Sequence, residues 1–220
     1  MNIKAPEAAH PLPPPGPRAL ATMEKLLDSA ERLFAQQGVL TASVRDITTM
    51  AGQRNASAMH YHFGGREGLV AAVLARHGTR VAQDRAQLMT ELGNDIHVAS
   101  LMRVVVEPLA HRLLDETGCR YLLILEQCLT IPGLAAPATL HDESMQGLRD
   151  RLQKALTWIP AHVLTRRFEF VIAALLGALA VRSRARLDTM KLADSDAVYI
   201  DDLVEMLAAA MAAPLPLLMG

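Results

Sequence analysis

The 220-residue chain is poor in aromatic side chains, which make up 4% of it, and has only two cysteines. With aromatics so scarce, the hydrophobic 51% falls mainly on Leu, Ala and Met. These side chains lose little rotamer freedom in helices and pack helix against helix, so an all-α fold is expected. Cys119 and Cys128 stand nine apart in an apolar stretch with no Cys-x-x-Cys spacing. That excludes a disulfide framework and suits buried thiols in a reducing compartment. The longest apolar run, Phe170 to Val181, ends at Glu169 and Arg182 and is too short to span a bilayer. The N-terminus lacks the apolar centre of a secretory signal, so a cytoplasmic protein is expected, with no membrane partner. No Gly-x-Ser-x-Gly elbow occurs and the histidines are scattered, which leaves no enzyme constellation. No strand-period pattern and no internal repeat stands out.

Charge of one sign is also missing overall, the net being −1. Its distribution is uneven. Residues 18–80 carry eight Arg or Lys against five acids, a local +3, whereas residues 81–220 carry 13 against 17, a local −4. A basic head on an acidic body is what a phosphate-contacting domain needs. Residues 5–17 hold six of the 12 prolines and predict a flexible arm over 1–18. Order is expected from Arg18. Leu20, Met23, Leu27, Ala30 and Phe34 recur at helical spacing up to a cap at Gly38. Ser43, with Asp46 three residues on, predicts the start of a second short helix at Val44 that stops at Gly52. A turn over 53–55 leads to a third helix, capped by Asn55 and ending at Phe63, and a fourth begins at Arg66. Five further helices are expected near 98–115, 120–130, 142–157, 161–187 and 196–212, with breaks that include Gly93 and Gly118. Short helices joined by a tight glycine-containing turn form a helix-turn-helix over 19–66, followed by a helical body over 67–220.

The run from Leu26 to Gly38, then Thr41-Ala42-Ser43-Val44-Arg45-Asp46-Ile47, Ala51-Gly52, His60-Tyr61-His62-Phe63 and Arg66-Glu67-Gly68-Leu69, resembles the DNA-binding domain of the tetracycline-repressor (TetR) family. The match covers about 50 residues. Two features depart from the family pattern. One additional residue lies between Gly52 and Phe63, and His60 stands where the family usually has a phosphate-contacting Tyr. The resemblance implies a homodimeric transcriptional regulator, a repressor released from a palindromic double-stranded DNA operator by a small-molecule effector, with no cofactor, and the apolar, Met-rich body suits a hydrophobic effector.

A recognition helix turns short polar side chains to base edges and packs its back on the first helix. Ala58, Met59 and Phe63 suit the back, while Arg54, Ser57, His60 and Tyr61 share the other side. Arg54 can read guanine or only grip phosphate, and Asn55 caps beside it. Ser43 and Arg45 are placed to reach one backbone strand, Arg66 and the start of the fourth helix another, and His62 a phosphate by the resemblance. His60-x-His62 is not read as a metal pair, because residues two apart diverge on a helix. In the body, Met102, Val105, Leu109, Tyr121, Leu125, Cys128 and Phe168 can line an effector cavity or be solid core. Residues 171–181 are apolar on every face and so need cover on every face. Phe168, Ile172, Leu175 and Leu179 are assigned to the subunit's own core. Phe170, Ala174, Gly177, Ala178 and Val181, with Leu203, Met206, Leu207 and Ala210 of the last helix, are assigned to a four-helix dimer interface.

Overall fold

Nine α-helices supply the regular structure among the described residues of the computed structural model, which are 16–53, 57–131, 134, 140 and 142–215. Helix α1 (Pro17–Gln37) has proline in its first turn, where the missing N–H costs nothing. It buries Leu26, Leu27, Ala30, Leu33 and Phe34 and ends at Gly38, at a φ of 99°, whose N–H donates to the Phe34 carbonyl. The expected inner stripe is shorter at its start, since Leu20 is exposed. Helix α2 (Val44–Met50) opens on Ser43, whose Oγ accepts the Asp46 N–H at 3.0 Å. It closes before Gly52, at a φ of 70°. Helix α3 (Ser57–Phe63) follows; the expected Asn55 cap and the side chain of Ala58 lie outside the described residues. Helix α4 (Arg66–Glu91) then runs without a break from beneath α3 into the body.

The body contains α5 (Val98–Ala110), a 3₁₀ turn (His111–Leu114), α6 (Glu116–Thr130), α7 (Glu143–Ala155), α8 (Ala161–Leu187) and α9 (Asp196–Ala212). The expected break at Gly118 lies instead at Asp115, whose side chain caps α6 by accepting the Gly118 N–H at 2.7 Å. Gly118 has a different task. A Cβ there would run into the Arg112 backbone, so glycine is what lets the 3₁₀ turn fold onto α6. Asp142 caps α7 and also accepts from the fully buried Arg85 of α4 at 2.9 Å, which ties α7 to α4.

Helix α8 lies along α6, and α9 along α5. One continuous core runs from Leu26 in α1 to Met211 in α9. Phe168, Ile172, Leu175 and Leu179 lie in it as expected, joined by Val171 and Leu176. Two residues assigned to the dimer face belong elsewhere. Leu203 and Leu207 are 7% and 5% exposed within the protomer, because α9 turns that stripe onto α5. By contrast Phe170, Val181 and Met206 are 65%, 67% and 60% exposed. Ala174, Gly177, Ala178 and Ala210 are half-buried, and a Cβ on Gly177 would meet open space.

Arg182 fastens α8 to the start of α9. Its guanidinium donates to Asp194 and Asp196 at 2.9 Å each and lies 4.1 Å from the centre of the Tyr199 ring. The Tyr199 hydroxyl donates back to the Ala178 carbonyl at 2.9 Å. Arg186 also bonds Asp196, and this contact, ahead of the one from Arg182, holds the Asp196 carboxyl below its ordinary pKa.

Candidate nucleic-acid interface

The start of α2, helix α3 and the start of α4 carry the described residues singled out for DNA contact. Along α3, Met59 is buried and Phe63 packs against the core, so this side is the back of the helix. Ser57 and His60 are exposed, Tyr61 is 79% exposed, and His62 is half-buried with its ring edge-on to Tyr61 at 5.0 Å. The outward face is therefore polar and aromatic, while the inward face is apolar, as base readout requires. Arg54 and Asn55 lie outside the described residues.

Part of the positive charge of residues 18–80 is already paired inside the protein. Arg76 pairs with Glu24 at 2.6 Å and Asp28 at 2.8 Å, and Arg80 pairs with Asp84 at 2.8 Å. Arg45 is different. It is exposed in the first turn of α2 and has no carboxylate partner among the described residues. Ser43 beside it commits its Oγ to capping, which holds the α2 start in place. Lys25 and Arg32, not singled out in the sequence, line a groove of about 400 Å³ with Met50, Ala51 and Gly52, next to the turn between α2 and α3.

Arg66 is half-buried, and its Nη1 donates to the Val39 carbonyl at 2.6 Å. The side chain expected to reach phosphate is thus engaged in holding the α1–α2 loop against α4. The N–H of the same Val39 donates to Oε1 of Gln127, in α6, at 2.8 Å. A second connection between head and body lies below it. Glu31 of α1 is buried, with Arg76 at 3.5 Å, His77 at 3.4 Å and Arg120 of α6 at 4.0 Å. His77 stacks on Tyr121 at 5.0 Å. Sequence spacing could not find these groups, since Gln127 lies 88 residues from Val39 and neither stands in a recognisable motif.

Two family descriptions match the chain: the N-terminal domain of bacterial regulatory proteins of the tetR family over residues 26–73, and a tetracyclin repressor-like C-terminal domain over residues 103–213. The second spans half of the molecule by itself. The chain belongs to the TetR family. It is a DNA-binding transcriptional regulator and not an enzyme, and regulators of this family bind DNA, dimerise and bind small molecules. Solved structures share its fold. NalD, the secondary repressor of the MexAB-OprM multidrug efflux pump in Pseudomonas aeruginosa, is 19% identical with a TM-score of 0.55, covering 87% of this chain and 97% of its own. A tetR family transcription regulator from Shewanella sp. PV-4 is 14% identical with a TM-score of 0.56, covering 85% and 95%. The fatty acid degradation regulator FadR from Bacillus halodurans is 14% identical with a TM-score of 0.52, covering 88% and 99%. The search of curated proteins found no match for the sequence.

In the body of this TetR-family chain, all seven residues offered as cavity lining are buried in the continuous core. A groove of about 260 Å³ between α4 and α5 is bordered by Leu88, Leu92, Ser100, Arg103 and Val104, and by none of the seven. Burial pushes the Cys128 thiol up to about 11 and raises Cys119 as well, so both stay protonated and act as small apolar groups. Among the described residues no group of His, Cys, Asp or Glu could hold a metal ion, and no helix is long and apolar enough to cross a membrane.

Proposed function

We propose that this TetR-family regulator is a cytoplasmic, homodimeric repressor that occupies a palindromic operator and leaves it when a small hydrophobic molecule binds the body. The observation that carries the reading is the apolar band left uncovered on α8, where Phe170 and Val181 stand exposed on either side of Ala174 and Gly177. A protomer with such a band buries it best against a second copy related by two-fold symmetry. Ala178, Met206 and Ala210 border the band, whereas Leu203 and Leu207 are left to the protomer core. A two-fold dimer presents two α3 helices to one duplex, which is why the operator is expected to be palindromic.

At the DNA, residues 19–66 form the head. Ser57, His60 and Tyr61 face the groove, Ser43, Arg45 and His62 face the phosphates, and Arg54 and Asn55 are assigned to DNA contact from the sequence alone. Arg66 contributes what its bond to Val39 leaves free. The core of the body is apolar and includes Met102, Met145 and Met211, which suits a hydrophobic effector better than a sugar phosphate.

Val181→Glu tests the reading without disturbing the protomer core. Light scattering at micromolar concentration should show a dimer for the wild type and a monomer for the variant, and the variant should lose operator binding. A monomeric wild type overturns the proposal. So does a footprint with a single half-site in place of two, about one helical turn or somewhat more apart.

A further inference from the structure

The Val39 backbone is held from both sides by side chains distant in sequence, the peptide before it through its N–H and the peptide after it through its carbonyl. Its N–H donates to Oε1 of Gln127 at 2.8 Å, and its carbonyl accepts from Nη1 of Arg66 at 2.6 Å. Val39 is 0% exposed, so neither group can turn to bulk water instead. Gln127 is itself oriented, because its Nε2 donates to the Leu123 carbonyl one turn earlier at 3.2 Å, which presents Oε1 to the loop. The approach is close. At Gly38, where φ is 99°, a Cβ would stand 3.5 Å from that oxygen.

From Val39 the chain reaches α2 with little slack. The Ala42 N–H donates back to the Gly38 carbonyl at 3.0 Å, which closes the loop into a single turn, and the next residue is the Ser43 cap. Any shift of the Val39 peptide is therefore passed to the first turn of α2, where Arg45 stands exposed. Gln127 lies in α6, outside the 26–73 segment that matches the DNA-binding domain. We infer that Gln127 is a positioning residue for DNA binding: from the body it holds the Val39 peptide, and through it sets where Ser43 and Arg45 meet the phosphate backbone. This rests on the proposed phosphate role of the α2 start.

The test uses the full-length protein and a duplex that the wild type selects from a random-sequence pool. Gln127→Met keeps the length of the side chain and removes the acceptor. Gln127→Ala removes it as well, and serves if the Met variant folds poorly. Gln127→Glu retains an acceptor oxygen. The acceptor-free variants should bind about tenfold more weakly, the scale of one buried amide left unpaired. Their dependence on salt should keep the wild-type slope, since no phosphate contact is removed. In the DNA-free protein their Val39 amide should exchange its hydrogen at least about tenfold faster, and Gln127→Glu, which keeps the acceptor but lacks the donor to Leu123, should recover part of both affinity and protection. Wild-type affinity in the acceptor-free variants, a flattened salt slope, or a Glu variant no better than Met overturns the inference. The amide exchange is read without DNA, so it judges the clasp separately from the phosphate role, which Arg45→Ala judges by its own salt slope.

Discussion

Arg45 and Arg66 bracket the same pair of short helices and look interchangeable in the sequence, yet their surroundings differ. Arg45 reaches solvent with no carboxylate beside it among the described residues, whereas Arg66 commits an N–H to the Val39 carbonyl. Replacing each with alanine should separate the two roles. Arg45→Ala should weaken binding to all DNA sequences alike and lower the slope of log affinity against log salt by about one unit. Arg66→Ala should weaken binding with a smaller change in slope and cost about 1.5–3 kcal/mol of stability in chemical denaturation, the scale of a lost hydrogen bond to a charged donor. A full unit of slope lost at Arg66 would return that side chain to direct phosphate contact. Glu31 belongs to the same scale. Its carboxylate is buried beside three basic side chains of α4 and α6. Glu31→Ala should therefore destabilise the fold by about 1–3 kcal/mol in urea denaturation, since it removes the buried carboxylate that Arg76, His77 and Arg120 share. A variant as stable as the wild type would show that the node contributes only to specificity.

Among the elements, the Arg182 clasp between α8 and α9 has a pH dependence of known sign. The folded pKa of Asp196 lies below its ordinary value of 3.8, with the Arg186 hydrogen bond as the largest favourable cause. The clasp therefore adds stability that is complete above that ordinary value and is lost as pH falls through the folded value. Asp196→Asn should flatten the acid limb of the stability curve over that window and leave the neutral region lower but parallel. An unchanged acid limb would mean that the clasp does not report on unfolding. The element scale is also where the sequence is easiest to read. Helices α8 and α9 have the bounds expected from periodicity, because Pro160 and the Ser195 cap mark their starts locally. The Ser43 cap is legible for the same reason. Gly118 misleads, since a glycine chosen for close backbone approach cannot be told from a helix breaker without its neighbour in space. Leu203 and Leu207 mislead in a related way. Periodicity finds a stripe on α9, but only packing on α5 decides whether the stripe faces inward. The groups that join head to body leave no local signal at all.

At the scale of the whole molecule, α4 is shared between the head and the body, and its 26 residues run from Arg66 to Glu91 without interruption. At 1.5 Å per residue it is a rod of about 39 Å, stiff on the scale of a protein. A rod converts angle into distance. Pivoting it by about 5° at the body end carries the head end through roughly 3.4 Å, which is the rise of one base step along a DNA strand. A pivot of that size at the body end would displace the head by a whole base step without unwinding any helix.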